Sequence, residues 1–396
     1  MHKFETVVLK PGKESSLLRF HPWVFSGAVK YLPASVREGE IVRVVSAANE
    51  FLGLGHFQVG SIAVRIFSFE ERVTDREFWK HKFSKAVEVR EASGFCFGET
   101  HNICRLIHGE GDGLPGLIVD YYNGVAVMQA HSAGMYLIRQ ELAAALREVL
   151  GSRLTAVYDK SEKTVPFKAN LAPADGYLYG SATLPHMADE YGLHFNIDWI
   201  AGQKTGFFID QRENRRLLES YSRGRNVLNM FCYSGGFSAY ALRGGAALVH
   251  SVDSSAKAVE LTLANMKLNF QDDSRHKAFS ADAFEFLRDA EPDYDLIILD
   301  PPAFAKHQDA LPQALKAYKR INARAMQIIR PGGILFTFSC SQSVPRDKFR
   351  EAVFSAAAIS GRSVRILHQL TQPADHPVSI YHPEGEYLKG LVLFVE

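Results

Sequence analysis

The sequence predicts an α/β protein whose C-terminal half is an open, mostly parallel, doubly wound sheet. From Asn226 onward, apolar strands alternate with helical patterns, which is typical of parallel βαβ units. Short β-rich runs up to Phe69 indicate a small β-barrel, and strands that flank a helix between Cys104 and Ala182 indicate a separate α+β unit. We therefore expect three domains, at residues 1–70, 71–185 and 186–396.

The first two domains are predicted from local helix and strand signals. Thr74 and Glu77 form a capping-box pair, which predicts that a helix begins there and runs to about Ala92. A second helix is expected near Met135–Leu150, and the segment Ala169–Pro185 is expected to connect to the last domain. The strands predicted in these domains are Thr6–Leu9, Ile41–Val45, Phe51–Phe57, Ile62–Phe67, Gly116–Asp120, Val125–Ala130 and Ala156–Tyr158.

Composition narrows the class of protein. The chain has 396 residues, 46% of them hydrophobic and 22% charged. It has no apolar run near the roughly 18 residues of a membrane span, so no membrane partner is expected. The N-terminus lacks the features of a signal peptide, which predicts a cytoplasmic location. A net charge of +1 neither demands nor excludes nucleic acid as a partner.

The cysteines are too few for a disulfide framework in a chain of this length. None of Cys96, Cys104, Cys232 and Cys340 forms a C-x-x-C pair, so neither a metal site nor a redox pair is expected. Cys96 and Cys104 lie outside the predicted sheet domain, and we interpret them as structural. Cys232 and Cys340 each lie near the end of a predicted strand.

Chemically distinctive residues follow the strands of the predicted sheet, where an open α/β sheet binds its ligand. Gly235 and Gly236 form the turn after the first strand, where glycine lets the backbone approach a ligand closely. Asp253 ends the second strand, where a carboxylate can accept both hydroxyls of a ribose, and Asp282 follows the third, placed to meet an adenine. The predicted strands are Val227–Phe231, Ala247–Val252, Lys277–Phe279, Leu296–Leu299 and Ile334–Phe338.

This order of motifs, completed by Asp300-Pro301-Pro302 after the fourth strand, resembles the class I methyltransferases, which have a Rossmann-like fold and bind S-adenosylmethionine. The alternative is that the acidic residues only cap helices, as Asp often does. A dehydrogenase is disfavoured because the turn lacks G-x-G-x-x-G. The cofactor contacts expected here are Phe231, Tyr233, Ser234, Gly235, Gly236, Asp253, Ser254, Asp282, Ala283 and Asp300.

Asp300 and Cys340 follow two strands that should be neighbours, so we expect both in one crevice. A thiolate that adds to C6 of a pyrimidine turns C5 into a carbon nucleophile toward a methylsulfonium. A carboxyl group near N3 would assist as charge develops there. Cys340 is also compatible with a buried, inert thiol, and Cys232 is a rival nucleophile. The sequence does not indicate which base removes the C5 proton.

Over nearly its whole length, the chain resembles the RlmI-type 23S ribosomal RNA (cytosine-5) methyltransferases. HPWVFSGAV at His21–Val29 is similar to the family's PUA domain, a small RNA-binding β-barrel. DPPAF is similar to the family's fourth motif and FSCS, at Phe338–Ser341, to its nucleophile motif. The resemblance implies methylation of C5 of a cytosine in 23S ribosomal RNA, with Cys340 and Asp300 as catalytic residues. The implied partner is this RNA, and a homodimer is a second candidate assembly.

Two further segments carry the resemblance. GQKTGFFIDQREN, at Gly202–Asn214, is similar to a motif that closes over the cofactor, which implies roles for Lys204, Phe207 and Asp210. PADHPVSIYHPEGEYLKG resembles the family's C-terminal strands, with a hairpin that completes the sheet. The residues expected to contact RNA are His21, Trp23, Arg212, Pro302 and Phe304. Trp23 and its neighbour Phe25 are also compatible with the core of the barrel.

Three alternatives stay open at this point. A related RNA guanine methyltransferase would carry Asn in place of Cys340. An exocyclic-amine methyltransferase would carry an aromatic residue directly after the prolines, whereas Ala303 separates Pro302 from Phe304 in this chain. Relatives often have lysine at the position of Ala303, although Lys306 lies close by. The third alternative is an RNA-binding assembly factor without catalytic activity.

Overall fold

The computed structural model describes residues 4–166, 171–291, 293–305 and 307–396. The chain divides into two units, each built from segments that are distant in the sequence. The first comprises Met1–Tyr191, Ile197–Ile209 and Ala374–Gly385, and the second comprises Gly192–Asn196, Asp210–Pro373 and Glu386–Glu396. Among the described residues, no helix is both long enough and apolar enough to cross a membrane.

The N-terminal part of the first unit is a six-stranded β-sheet. Its strands are β1 (Glu5–Leu9), β2 (Trp23–Phe25), β3 (Val29–Tyr31), β4 (Ile41–Val45), β5 (Phe51–Phe57) and β6 (Ile62–Ser68). Their order is β2-β6-β5-β4-β1-β3, and the core holds Val7, Leu9, Val42 and Val44 from alternate positions of β1 and β4. The four predicted strands are confirmed. The alternation did not reveal β2 and β3, which have three residues each.

A second sheet follows in the same unit, with strand order β11-β10-β9-β8-β7. Its strands are β7 (Ile103–His108), β8 (Leu117–Tyr122), β9 (Val125–Ala130), β10 (Ala156–Asp159) and β11 (Gly176–Tyr179). The helices of this part are α1 (Arg76–Ala92), α2 (Ala133–Leu137) and α3 (Arg139–Leu150). Helix α1 packs against α3, and the apolar faces of both helices belong to one core with the sheet.

Two local predictions in this region need correction. The cap of α1 is Asp75, whose carboxylate accepts the N–H of Phe78 at 3.0 Å, so the capping-box pair of Thr74 and Glu77 is wrong. The expected connection Ala169–Pro185 contains strand β11, because Gly176–Tyr179 pairs with β10. Residues 167–170 lie outside the described part of the chain.

Cys96 and Cys104 form a disulfide in the first unit, which the sequence analysis did not predict. Both cysteines had been interpreted as structural. Cys104 is the second residue of β7 and is fully buried, whereas Cys96 lies in the segment that joins α1 to that strand. The bridge therefore ties this connecting segment to the sheet.

The second unit is built on the predicted doubly wound sheet. Its strands are β14 (Asn226–Met230), β15 (Leu248–Asp253), β16 (His276–Ser280), β17 (Tyr294–Leu299), β18 (Ile329–Ser339), β19 (Val364–Leu370) and β20 (Lys389–Val395). Before them in the chain, β12 (His186–Glu190) and β13 (Leu193–Ile197) form a separate two-stranded sheet. The order is β16-β15-β14-β17-β18-β20-β19. Strands β14 to β18 pair in parallel, and β20 pairs antiparallel with both of its neighbours.

This order positions the site. Successive strands build outward from β14 through β15 to β16, and the chain then returns to the other side of β14 to form β17 and β18. The point of reversal between β14 and β17 is where an open α/β sheet leaves a crevice at the carboxyl ends of its strands. The helices of the second unit are α4 (Arg212–Tyr221), α5 (Gly236–Arg243), α6 (Ala256–Phe270), α7 (Ala283–Asp289), α8 (Leu311–Ile328) and α9 (Arg346–Ser360).

The C-terminal segment has a different structure from the strands that the resemblance implied. The hairpin of β19 and β20 does complete the sheet, but most of PADHPVSIYHPEGEYLKG is the connection between them, and Ala374–Gly385 belongs to the first unit. Asp375 anchors this connection. Its carboxylate accepts the N–H of Arg105 at 3.0 Å, and its carbonyl oxygen accepts a bond from the guanidinium of Arg90 at 2.8 Å.

Candidate active site

The turn between β14 and α5 requires glycine. Gly235 adopts a φ of +76°, and a Cβ built there would lie 2.8 Å from Cγ2 of Thr262 on α6. Both the left-handed backbone and the close approach disfavour any side chain at this position. Helix α5 begins directly after the turn, so its first N–H groups lie at the point where the strand order reverses. The turn can therefore present backbone donors to a ligand.

The residues before this turn have an uncommon backbone conformation that α6 supports. Phe231 has a φ of +60° and Tyr233 a φ of +46°, in a region that non-glycine residues rarely adopt. The hydroxyl of Thr262 donates to the carbonyl of Tyr233 at 2.9 Å, and the amide of Asn265 donates to the carbonyl of Ser234 at 2.8 Å. Strained backbone of this kind clusters at ligand-binding sites.

Asp253, at the end of β15, connects this loop to the start of α6. Its Oδ2 accepts the N–H of Tyr233 at 3.0 Å, and its Oδ1 accepts the N–H of Ser255 at 2.9 Å. Each carboxylate oxygen has two acceptor positions, so one further bond per oxygen is available to a diol such as a ribose. Its neighbour Ser254 is exposed.

Asp282 is the N-cap of α7. Its Oδ1 accepts the N–H groups of Phe284 and Glu285, at 2.9 and 3.0 Å. Asp282 therefore caps a helix, as the alternative to a cofactor contact predicted. Both capping bonds go to Oδ1 and neither goes to Oδ2. Ala283, the first residue of the helix, is buried.

Asp300 and Cys340 follow the neighbouring strands β17 and β18. The Sγ of Cys340 lies 3.9 Å from the carbonyl oxygen of Pro301, which places the thiol beside the Asp-Pro-Pro loop. The Oδ1 of Asp300 accepts a bond from the side-chain amide of Gln211 at 3.0 Å, and Asn214 donates to the other end of that amide at 2.6 Å. The carboxylate is thus held by a short chain of amide hydrogen bonds.

The two thiols of the sheet differ in their surroundings. Cys232 is buried, its Sγ lies 3.5 Å from the hydroxyl of Thr262, and burial raises its pKa to about 12. A thiol with so high a pKa stays protonated near neutral pH and is a poor nucleophile. Cys340 is half-buried at the strand end. Of the two cysteines, Cys340 is therefore the better candidate for the nucleophile.

Residues of the GQKTGFFIDQREN motif belong to both units. Lys204 and Phe207 are part of the first unit, where the ammonium of Lys204 lies 4.8 Å from the ring centre of Phe208 and Phe207 is buried. Asp210 belongs to the second unit, and its Oδ2 accepts the hydroxyl of Tyr387 at 2.7 Å. The roles that the resemblance implies for these residues stay predictions.

His21 and Trp23 are half-buried in the first unit. The indole N–H of Trp23 donates to Glu110 at 2.8 Å, and its ring packs edge-on against His382 with centroids 4.4 Å apart. His21, His382 and Glu384 place possible metal-ligand atoms within 4.8 Å of one another. However, Nδ1 of His21 accepts the N–H of Trp23 at 3.2 Å, so Nε2 carries the proton and faces Glu384 at 3.4 Å. A His–Glu hydrogen bond accounts for this pair.

The other residues expected to contact RNA differ in exposure. Arg212 is fully buried, so a direct RNA contact from its side chain does not fit its position. Pro302 is exposed, and Phe304 packs against Tyr318 with ring centroids 4.8 Å apart. Phe25 is 48% exposed, which argues against its place in the barrel core. Lys306 lies outside the described residues.

Comparison with known proteins gives two family matches within the chain. The profile of the S-adenosylmethionine-dependent methyltransferase family matches residues 104–385, and that of a PUA-like domain matches residues 7–69. The chain is 40% identical over 392 residues to the ribosomal RNA large subunit methyltransferase I of Shewanella amazonensis, covering 98% of both chains. A protein of the same name from Pseudoalteromonas atlantica is 39% identical over 393 residues, with the same coverage. The chain belongs to the ribosomal RNA large subunit methyltransferase I family.

Solved structures agree with the fold of this family member. A protein from Streptococcus mutans described as a methyltransferase superimposes with a TM-score of 0.84 at 23% identity, covering 99% of this chain and 100% of that one. A second, solved with S-adenosylhomocysteine, gives a TM-score of 0.85 at the same identity and coverage. These likenesses show the fold alone. The predicted class I methyltransferase fold, the PUA-like N-terminal domain and S-adenosylmethionine as cofactor are confirmed.

Several residues at the site were not predicted. Gln211 and Asn214 lie in the motif quoted from the sequence, but their action on Asp300 depends on a contact 89 residues away. Tyr318 projects from α8, and its electrostatic neighbours are Cys340 and Asp300. No periodic or spacing signal in the sequence marks these three as parts of a site.

Proposed function

We propose that this enzyme methylates C5 of a cytosine in 23S ribosomal RNA through a covalent adduct on Cys340. The observation that carries the proposal is the position of the Cys340 thiol at the end of β18, 3.9 Å from the carbonyl of Pro301 and beside the Asp300 loop. The names of the relatives and the match of residues 7–69 to a PUA-like domain support ribosomal RNA as the substrate. Such a substrate makes the cytoplasm the expected location.

The cofactor is expected along the carboxyl ends of β14, β15, β16 and β17. S-adenosylmethionine supplies the methyl group when it is bound. The free acceptor positions of Asp253 fit the ribose, and the N–H groups at the start of α5 lie at the same edge. The residues proposed to contact the cofactor are Lys204, Phe207, Asp210, Phe231, Tyr233, Ser234, Gly235, Gly236, Asp253, Ser254, Asp282, Ala283 and Asp300.

The chemistry starts from the thiolate of Cys340. Its electron pair forms a bond to C6 of the cytosine, and the C5–C6 double bond supplies the pair that C5 then uses to bond to the methyl carbon. S-adenosylmethionine would supply this methyl group, and its sulfur would keep the electron pair of the carbon–sulfur bond that breaks. A base then removes the C5 proton, the double bond reforms, and the thiolate leaves with the pair of the C6–S bond. Cys340 is therefore regenerated in each cycle.

Asp300 is proposed to act at N3 of the same base. A carboxyl group there donates a hydrogen bond as negative charge develops during thiolate addition. Gln211 donates to Oδ1 of this carboxyl and so fixes its orientation beside the Cys340 thiol. The RNA contacts that remain proposals are Pro302, which is exposed, and Phe304, His21 and Trp23, which are half-buried. Arg212 is withdrawn because its side chain is buried.

The experiment is transfer of labelled methyl to unmodified 23S ribosomal RNA, followed by digestion to nucleosides and mass spectrometry. The expected product is 5-methylcytidine. Cys340→Ala should bind S-adenosylhomocysteine as the wild type does and lose transfer, because the thiol acts on the base. Cys232→Ala is the matched control and should retain transfer. Methylguanosine, no product, or transfer by Cys340→Ala would refute the proposal in favour of a guanine enzyme, an assembly factor or a non-covalent mechanism.

A further inference from the structure

Lys389 is a buried cation next to the proposed nucleophile. It is the first residue of β20, is only 4% exposed, and lies opposite Ser339 in the antiparallel register of β18 and β20. Its Nζ donates to the carbonyl of Ser341 at 2.5 Å, so it spans the strand end that carries Cys340. A carbonyl is a neutral partner. Burial of an ammonium is costly unless a negative charge compensates it.

Three groups act electrostatically on Lys389, namely Cys340, Arg346 and Glu386, and the last two largely cancel each other. Arg346 at the start of α9 and Glu386 in the segment before β20 both act on it, but they form an ion pair with each other, so their fields largely cancel. The remaining group is Cys340. Burial lowers the pKa of Lys389 to about 8, and negative charge on Cys340 raises it. Near neutral pH the ammonium is therefore mostly retained.

Two titratable groups near Cys340, Tyr318 and Asp300, carry no positive charge. Tyr318 on α8 is buried, and burial raises its pKa, so it is neutral at pH 7. Asp300, after β17, is acidic and accepts a bond from Gln211. An Asp300 carboxylate would disfavour a neighbouring thiolate by like-charge repulsion. The ammonium of Lys389 is placed to oppose this effect.

We propose that the ammonium of Lys389 stabilises the thiolate of Cys340 and so prepares it for attack on the base. The inference rests on the proposed function, in which Cys340 is the nucleophile. The proton of the thiol passes to solvent, while Lys389 keeps its own proton, so the two charges coexist. In this proposal Lys389 acts through Cys340, which makes it a positioning residue.

The test is the rate of Cys340 alkylation by iodoacetamide from pH 5.5 to 9.5, followed by mass spectrometry of the Cys340 peptide. The full-length wild type should show a midpoint below the usual thiol pKa of about 8.5. Lys389→Met should move the midpoint up by about one unit or more, which is a roughly tenfold lower rate at pH 7. Lys389→Arg keeps the charge and should retain the low midpoint.

Two results would overturn the inference. The first is a wild-type midpoint at or above about 8.5, which requires no variant to fold. The second is an unchanged profile in Lys389→Met that still binds S-adenosylhomocysteine, since Lys389 would then only hold the carbonyl of Ser341. The assay contains no RNA, so it measures the effect of Lys389 on the ionisation of the Cys340 thiol independently of methyl transfer. Failure of the proposed function would appear separately, as 5-methylcytidine formed by Cys340→Ala.

Discussion

At the scale of single residues, the carboxylate of Asp253 both stabilises the local backbone and is proposed to bind the ligand. It holds the loop after β14 through the N–H of Tyr233 and the start of α6 through the N–H of Ser255. The acceptor positions that remain fit a diol. The loop and its proposed ligand therefore depend on the same side chain.

We expect Asp253→Ala to weaken binding of S-adenosylhomocysteine by about 10- to 100-fold, because a hydrogen bond to a charged group contributes roughly 1.5–3 kcal/mol. Isothermal titration calorimetry measures this directly. Asp273→Ala is the control, since Asp273 pairs with Arg275 in the turn before β16. An equal loss in both variants, or none in Asp253→Ala, would contradict the assigned role.

Residue positions could be predicted where a residue lies at the end of a strand. Asp253 and Cys340 were placed at one edge of the sheet for this reason, and their roles stay predictions. Gln211 and Lys389 were missed because their partners, Asp300 and Ser341, come from other elements. Neither contact can be predicted from the sequence until the packing of these elements is known.

At the scale of elements, the turn from β14 to α5 combines two requirements for glycine. Gly235→Ala should lower the free energy of unfolding by roughly 2–4 kcal/mol, the sum of a left-handed backbone cost and an overpacking cost against Thr262. Urea denaturation measures the change. The variant should also bind S-adenosylhomocysteine more weakly.

Gly361 provides the matched control, because it has a φ of +68° at the end of α9 and a Cβ there would meet nothing within 4 Å. Gly361→Ala should cost only about 1–2 kcal/mol, the backbone contribution alone. Equal losses in the two variants would show that the contact between Gly235 and Thr262 has no effect.

The predicted bounds were accurate for several strands with clear alternation or strong apolar character. Ile41–Val45, Phe51–Phe57 and Val125–Ala130 were predicted with the observed bounds. β7 was missed because Arg105 interrupts its apolar run, although the guanidinium pairs with Asp120 on β8. The ion pair between Arg105 and Asp120 allows a charged residue within β7, although the local sequence pattern disfavours a strand there.

At the scale of the whole molecule, the chain leaves the second unit between β19 and β20 and returns after Gly385. The predicted domains were continuous stretches of chain, so they could not assign Ala374–Gly385 to the first unit. Composition does not reveal it, because it depends on bonds such as those of Asp375 with Arg90 and Arg105, which are more than 200 residues away in sequence.

Histidines with lowered pKa values should make the protein acid-sensitive. Burial lowers the pKa of fully buried His56 from 6.5 to about 4, and partial burial lowers that of His276 to about 4 as well. Between those values the unfolded chain binds more protons than the folded one, so stability falls as the pH decreases from 6.5 to 4. The effect is absent above pH 6.5, where both states are neutral at these positions.

His56→Leu should reduce the loss of unfolding free energy between pH 7 and pH 4.5 by about 2–3 kcal/mol, because 2.5 pKa units correspond to roughly 3 kcal/mol at full protonation. Urea titrations at the two pH values measure it. His81→Leu, at an exposed position, should leave the difference unchanged. The same pH dependence in His56→Leu and the wild type would contradict the assignment.

The central claim is that Cys340 forms a bond to the target base, and trapping of that bond tests it most directly. The RNA would carry 5-fluorocytidine, because fluorine at C5 prevents the proton removal that releases the enzyme. We expect a stable protein–RNA adduct that forms with S-adenosylmethionine and maps by peptide mass spectrometry to Cys340. An adduct on Cys232 would contradict the assignment of Cys340 as the nucleophile. No adduct from an enzyme that makes 5-methylcytidine in ordinary RNA would contradict the covalent mechanism.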